Sequence, residues 1–384
     1  MHHRHSHLLF LKSMKKITLL SCLVAFLGPL SCFAQLSQRE TQAISKLERK
    51  LAADITDDGL DGGISAAIIK NDRVIWAKAF GYANRDTKRL ADTSTIYRIA
   101  SITKTFTATL LLLLVEDKAV GLDDPAEKYV PEVARIIGYT KDTKFTLRQL
   151  ASHTSGLKRW SEMRNANFGS IQGWAQKTVS SLKQTRLESK PGKQYLYSDV
   201  GFCILGLALE RASGQSYMKM IEERIIHPLQ MKHTFFAPDY SSLPYVAQGL
   251  YNRDGIINTK LPQSQLQGLG YGVPNGGLFS TPKDLAKLIS TYIVKSGLLT
   301  KASIRKMQQV PKGGKDYGLG MGLDSRKGFN CIGHSGLIPG YASEFFIDND
   351  TKYAVILMRN YDLGSTDLID AAARLVYDIC CGMI

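Results

Sequence analysis

Cysteine is scarce in this 384-residue sequence: there are six, none spaced as Cys-x-x-Cys, and two of them, Cys22 and Cys32, precede residue 35. The remaining Cys203, Cys331, Cys380 and Cys381 are too few and too scattered for a disulfide framework, a zinc ribbon or a dithiol redox centre. The adjacent pair Cys380-Cys381 is expected to serve packing. Histidine is equally unhelpful to a metal: no His-Glu-x-x-His occurs, and His153, His227, His233 and His334 lie apart, so neither metal nor cofactor is expected. Acidic residues are outnumbered, 34 against 49 Lys and Arg, for a net charge of +15. Such a surface favours polyanions in general. No basic run with interleaved aromatics accompanies it, so nucleic acid is not expected as a partner. Long apolar runs are also missing: Thr105 to Val115 gives eleven uncharged residues between Lys104 and Glu116, enough for a buried helix and too short for a membrane span. With 44% apolar and 22% charged residues and no internal repeat, the chain reads as an ordinary globular protein.

The first 34 residues read as an address. From Met14 the chain runs MKKITLLSCLVAFLGPLSCFAQ, a basic start, an apolar stretch and a small-x-small site, so a secretory signal cut after Ala34 is expected. Residues 1–13 then read as an extension upstream of the natural start. Removing residues 1–34 takes away Arg4, Lys12, Lys15 and Lys16 and no acid, leaving +11. The expected location is secreted or periplasmic, or, if Cys32 accepts lipid, a membrane-anchored lipoprotein.

Beyond the leader the pattern is helix, hairpin, helices, strands, helix. Residues 37–53 carry apolar positions at helical spacing, and GISAAIIK-ND-RVIWAKAFGYA gives two β-rich runs joined by Asn71-Asp72. Helical stretches follow at 101–118, 147–151, 170–185, 199–212 and 216–225. The β signal returns from about 317 in YGLGMGL, GFNCIGHSG, YASEFFI and KYAVILMRN, with a last turn at Asp348-Asn349-Asp350 and a final helix over 365–380. This predicts an α+β fold: an antiparallel sheet formed from both chain ends, flanked by helices, with an inserted all-helical subdomain. The expected division of the catalytic domain 35–384 is an α/β part, 35–100 and 276–384, and a helical part, 101–275.

The chemistry has to come from side chains. Gly333-His334-Ser335-Gly336-Leu337 fails the Gly-x-Ser-x-Gly nucleophile elbow at its last position. A Ser-x-x-Lys pair is the other serine strategy, because on a helix the amine and the hydroxyl share one face. It occurs seven times, at Ser13, Ser101, Ser155, Ser180, Ser216, Ser280 and Ser303, so the pair alone selects nothing. Ser101 stands out because it follows a β-rich stretch and opens the most apolar helix of the chain, where the helix dipole would stabilise an oxyanion. On the pair alone, an N-cap serine beside a surface lysine is the plainer reading.

Five segments together carry more: RIASITKTFTA (98–108), LRQLASHTSGL (147–157), YLYSDVGFCILGLALERASG (195–214), NGGLFSTPKDLAKLI (275–289) and GHSGLIPGYASEFFI (333–347). In this order they resemble the serine β-lactamase and penicillin-binding-protein-like hydrolases, comprising class C β-lactamases, DD-peptidases and their esterase and D-amino-acid amidase relatives. The resemblance spans nearly all of residues 40–380. It implies Ser101 as nucleophile, Lys104 as the group keeping its proton mobile, and Tyr197, in Tyr-Ser-Asp at the family's Tyr-x-Asn position, as general base and acid. It further implies that His334, Ser335 and Gly336 form the third motif on the strand edging the cleft. The oxyanion hole would be the backbone amides of Ser101 and Leu337. Tyr82-Ala83-Asn84 and Lys295-Ser296-Gly297 match the second and third motifs in form, but their positions in the chain mark them as structural. His153 and Ser155 are expected in a buried turn.

Two departures bear on activity. Asp199 stands where the family usually has Asn, and an ionised carboxylate cannot donate to a substrate carbonyl; it is expected to pair with Lys104 and favour that lysine's charged form. His334 replaces the Lys of class C β-lactamases, and Leu337 brings no hydroxyl. The expected activity is therefore that of an exported acyl-enzyme serine hydrolase, DD-peptidase- or D-amino-acid-amidase-like or carboxylesterase-like, on a small-molecule or peptide substrate, with cell-wall material among the candidates. The alternatives are a class C-like β-lactamase and a sensor that binds penicillin or muropeptide without turnover.

Overall fold

The computed structural model describes residues 36–57, 59–166, 169–294, 297–324, 330–364 and 367–382; the leader and Lys295-Ser296 lie outside them. Helix α1 (Gln38–Asp57) opens with a reciprocal capping box: the Ser37 amide donates to Glu40 and the Glu40 amide to the Ser37 hydroxyl. Strands β1 (Gly63–Lys70) and β2 (Arg73–Asn84) form the expected hairpin, with Asn71 at φ 59°, a left-handed conformation that asparagine tolerates. The second half of the sheet comes from the other end of the chain: β4 (Gly322–Asp324), β5 (Cys331–Ile338), β6 (Tyr341–Asp348) and β7 (Tyr353–Arg359). With the short β3 (Arg89–Leu90), the seven-stranded antiparallel order is β3-β2-β1-β7-β6-β5-β4. The two chain ends meet where β1 pairs with β7, Ile64 opposite Arg359 through Lys70 opposite Tyr353.

Alternation along these strands sends side chains to two cores. Ile64, Ala66, Ile68, Val355 and Leu357 pack under α1 and the C-terminal helix, while Ala67, Ile69, Phe345, Ile356 and Met358 face the helices inserted between the sheet halves. The central inserted helix is α2 (Thr103–Glu116), whose residues 103–114 are all buried. Its threonines can be dry because each hydroxyl is bonded: Thr105 donates to the Gly320 carbonyl, Thr107 to the Pro274 carbonyl, and Thr109 to the Thr105 carbonyl. Helix α3 (Asp199–Ser213) packs beside it, and α4 (Pro282–Val294) returns the chain to the sheet. Helix α5 (Leu368–Cys381) closes the chain beside α1.

The insertion is mostly helical and also carries a small hairpin, Tyr251–Arg253 with Ile256–Asn258. The expected strand in YGLGMGL is confined to its end, because Gly320 (φ 65°) lies against α2, where a Cβ would come within 2.5 Å of Ala108 Cβ. Gly320 serves a close approach of backbone to helix. Cys380 packs against the α1–α5 core as expected, but Cys381 is exposed.

Candidate active site

Ser101 sits in a single 3-10 turn, Ala100–Ile102, that runs directly into α2. Ala100 has φ 44°, a strained value for a residue with a Cβ. The chain before it is pinned by β6 and crossed by β5: the Ser343 hydroxyl donates to the Ile99 carbonyl at 3.0 Å, and a Cβ on Gly336 would lie 2.2 Å from that same carbonyl oxygen. Glycine at 336 thus lets the edge of β5 approach the Ser101 turn, and Leu337, 64% exposed, lines one cleft with Ser101.

Lys104, the second residue of α2, lies one turn beyond Ser101 and is wholly buried. Its ammonium donates to Ser101 Oγ at 3.1 Å, Asp199 Oδ1 at 2.6 Å and the Asn275 carbonyl at 3.0 Å. Burial alone would depress its pKa, but the charge of Asp199 and the neighbouring Tyr197 outweigh burial and hold it above the ordinary lysine value. Lys104 is accordingly an ammonium that places the serine hydroxyl. It is not a free base.

Asp199 opens α3, where the helix N-terminus favours a carboxylate. Ser198 caps the helix by accepting from the Gly201 amide and donates its own hydroxyl to the Lys158 carbonyl. The amides of Asp199 and Val200 both donate to the Arg159 carbonyl, and the Arg159 side chain returns a hydrogen bond from Nε to Asp199 Oδ2 at 3.1 Å. The carboxylate is thereby held between two cations, one on each oxygen. Asn275 completes the cage, its amide donating to the Asp199 carbonyl and to Cys203 Sγ.

A second cluster surrounds Tyr197. His153, in a left-handed turn (φ 60°), lays its ring 4.1 Å from that of Tyr197 and 4.7 Å from that of Tyr317, and accepts the Ser198 amide on Nδ1 at 3.0 Å. His334 Nδ1 lies 2.7 Å from the Ser335 carbonyl, which can only accept, so Nδ1 carries the proton and Nε2 receives the Tyr317 hydroxyl at 2.8 Å. Burial, with the Lys104 charge adding to it, drives His334 down to about 3 and pushes His153 well below the ordinary histidine value. Both are neutral imidazoles. His334 therefore engages Tyr317 rather than Tyr197 directly, and the two meet through the stacked rings. The Tyr197 ring itself lies 4.9 Å from the Lys104 ammonium and 5.2 Å from the Arg159 guanidinium.

Two cavities open at these clusters. One, about 240 Å³, contains Ser101, Asp199 and Leu337 with Arg159, Trp160 and Gln265; the other, about 540 Å³, contains Tyr197, His334 and Ser335 with Tyr195 and Tyr317. Gln265, which lines the smaller cavity, accepts from the buried Arg98 at 3.4 Å. Among the described residues, no three His, Cys, Asp or Glu side chains gather where they could hold a metal ion, and no helix is long and apolar enough to cross a membrane.

The structure thus joins Ser101 to Asp199 through Lys104, with Tyr197 beside them and Leu337 lining the same cleft as Ser101. Ser335 and Gly336 share the β5 edge, and the Tyr82-Ala83-Asn84 motif lies at the end of β2, in neither cavity. Sequence reasoning did not single out Arg159, Gln265 or Asn275. The one available signal was Asp199 itself, since a carboxylate in place of an amide invites a second cation.

The family model described as Beta-lactamase matches residues 50–378. The D-alanyl-D-alanine-carboxypeptidase/endopeptidase AmpH of Escherichia coli K12 is 30% identical over 257 residues, 64% of this chain and 63% of that protein. The chain spans about three-fifths of the length of the curated relatives it matches. Among solved structures, the octameric penicillin-binding protein homologue from Pyrococcus abyssi superposes with a TM-score of 0.74 at 29% identity, covering 88% of this chain and 77% of that one. A D-stereospecific amidohydrolase from a Streptomyces species gives 0.70 at 25% identity, covering 88% and 99%.

Proposed function

Since the chain belongs to the β-lactamase family of serine hydrolases, we propose that it cleaves amide bonds of D-amino-acid derivatives or peptides through an acyl-enzyme on Ser101. The observation that carries this reading is the contact of Lys104 with Ser101 Oγ at 3.1 Å and Asp199 at 2.6 Å in a buried setting. Ser101 Oγ adds to the substrate carbonyl while its proton passes to the Tyr197 oxygen, which enters this step as the phenolate. The tetrahedral intermediate expels the amine, which takes that proton, and water releases the acyl group by the same path in reverse. With Lys104 held as an ammonium, the base role falls to Tyr197, and the Ser101 and Leu337 amides receive the oxyanion.

The relatives lend support on the substrate class: one is named a D-alanyl-D-alanine carboxypeptidase and another a D-stereospecific amidohydrolase. Carboxylesterase activity is the second reading, favoured by Asp199, which accepts from two cations and has no proton to offer a substrate's amide carbonyl. A strong β-lactamase is disfavoured because neutral His334 leaves the third motif without a cation. We further propose that the protein works outside the cytoplasm, released by cleavage after Ala34 or held by lipid on Cys32.

The test is intact-mass spectrometry of residues 35–384, wild type and Ser101→Ala, after a fluorophosphonate and, separately, a penicillin. It is paired with turnover of D-alanine p-nitroanilide and p-nitrophenyl acetate. A fluorophosphonate adduct lost in the variant, with anilide turnover, is the expected result. Ester turnover alone selects the second reading, a penicillin adduct without turnover selects a sensor, and no adduct overturns the mechanism.

A further inference from the structure

The 240 Å³ cleft around Ser101 is lined by a single acidic residue, Asp199, whose two oxygens are already taken by Lys104 and Arg159. Two cations share one carboxylate, so one positive charge is left facing the cleft. It resides on Arg159: Lys104 is sealed away from solvent, whereas Arg159 is 60% exposed at its side chain and lines the cavity. Its Nε is committed to Asp199, and its two terminal nitrogens have no protein partner among the described residues.

The guanidinium is also held in place. The Arg159 backbone carbonyl accepts two amides of the first turn of α3, the Lys158 backbone carbonyl beside it accepts the Ser198 hydroxyl, and the guanidinium carbon lies 5.3 Å from the Trp160 ring and 5.2 Å from the Tyr197 ring. A side chain that only balanced Asp199 would not need both rings or the open end. A planar pair of N–H donors presented into a cleft matches a carboxylate.

We propose that Arg159 is a specificity-determining residue that binds a carboxylate on the acyl half of the substrate, so that the enzyme prefers acyl donors bearing an acid. The inference rests on the acyl-enzyme reading above. Its orientation follows from Tyr197: that residue protonates the leaving group and faces the 540 Å³ cavity, which leaves the Ser101–Arg159 cleft for the acyl half.

The test has a binding arm and a turnover arm. In the Ser101→Ala protein, which keeps the cleft without chemistry, glutaramate and the neutral butyramide are titrated by ligand-observed NMR. Glutaramate is expected to bind about tenfold or more tightly, with an advantage that shrinks in added salt and disappears when Arg159→Gln is combined with Ser101→Ala. Equal affinities for the two ligands, or an advantage that survives Arg159→Gln, would overturn the proposal.

In the turnover arm, p-nitrophenyl hemiesters of succinic, glutaric and adipic acids are compared with p-nitrophenyl butyrate by the ratio of kcat/KM values. The ratio cancels general damage to the site from loosening Asp199. At least one hemiester should exceed butyrate about tenfold in wild type, and Arg159→Gln should bring the ratio to about one, with Arg159→Lys between. Hydrolysis of butyrate with no acid preference removes this proposal and leaves the acyl-enzyme standing. No turnover and no fluorophosphonate adduct removes the acyl-enzyme, while the binding arm still decides whether Arg159 holds a carboxylate.

Discussion

The two sides of the Ser101 site solve the same problem, fixing reactive groups in a dry interior, by opposite means. On one side stand formal charges: Lys104, Asp199 and Arg159, joined at 2.6 and 3.1 Å. On the other, the neutral imidazoles of His153 and His334 pack with the rings of Tyr197 and Tyr317, joined by a hydroxyl-to-imidazole bond of 2.8 Å. The charged side fixes its members by ion pairing and makes each dependent on the other's charge. The aromatic side fixes its members by shape and one defined tautomer, and depends on its two imidazoles staying uncharged. Tyr197 touches both, since its ring meets His153 on the neutral side and Lys104 and Arg159 on the charged side.

The comparison breaks most violently at Lys104. Lys104→Met keeps the side chain's length and removes its charge, leaving Asp199 buried with Arg159 as its one cation. Acylation of Ser101 should fall by on the order of a thousandfold or more, since residues acting as a unit fail together. Stability should drop by roughly 1.5–3 kcal/mol, the cost of a lost charged hydrogen bond, because Asp199 retains Arg159. Fluorophosphonate labelling rates and urea unfolding read the two effects separately. Tyr197→Phe should divide them: the stack with His153 survives, so the unfolding midpoint should barely move, while turnover falls by on the order of 100- to 10,000-fold as the proton carrier is lost. Equal turnover by the phenylalanine variant would return the base role to Lys104.

Asp199→Asn sharpens the charged side. In the wild type the Lys104 pKa is raised on folding, so its stabilisation is fully present below its unfolded value and is lost as pH rises through the folded one. With asparagine, burial is unopposed by the carboxylate and the folded value falls. The sign then reverses, and the variant should lose stability as pH is lowered where the wild type does not. Urea unfolding between pH 7 and 10 checks this, with an expected deficit of roughly 1–3 kcal/mol at neutral pH.

How far the sequence exposed this arrangement follows the same divide between local and distant causes. The β1–β2 hairpin, the buried α2 and the sheet built from both chain ends were legible because periodicity and the Asn71-Asp72 turn are local signals. Ser101, Lys104 and Tyr197 were legible through the order of five segments, and the Lys104–Asp199 pair through simple charge. Arg159 was not: its position comes from a loop whose carbonyl is captured by α3, forty residues away in the chain. Asn275 contributes a backbone carbonyl, which no side-chain pattern reveals. His153 read as a buried turn, and so it is, but its stacking on Tyr197 depends on three separate segments meeting.

The neutral side makes the gentlest prediction. An imidazole whose folded pKa is depressed takes up a proton on unfolding at any pH between its folded and unfolded values, so stability falls as pH drops through that window. For His334 the window runs from about 6.5 down to about 3, and His153, also depressed by burial, acts in the same direction. Each contributes a slope of about 1.4 kcal/mol per pH unit while the window is open. His334→Gln keeps an acceptor for the Tyr317 hydroxyl and removes one titrating group. The free energy of unfolding, measured in urea at pH 6, 5 and 4, should therefore decline less steeply in the variant, by about one proton's worth. Glu40 does not confuse the reading: burial opposes its ionisation, but bonds from Tyr353, Ser37 and Lys70 outweigh it and hold its folded value at about 2, so its loss belongs below pH 4.5. Parallel slopes for wild type and variant between pH 6 and 5 would mean that His334 is charged in the folded protein. The neutral side of the site would then be as dependent on charge as the side that holds Lys104.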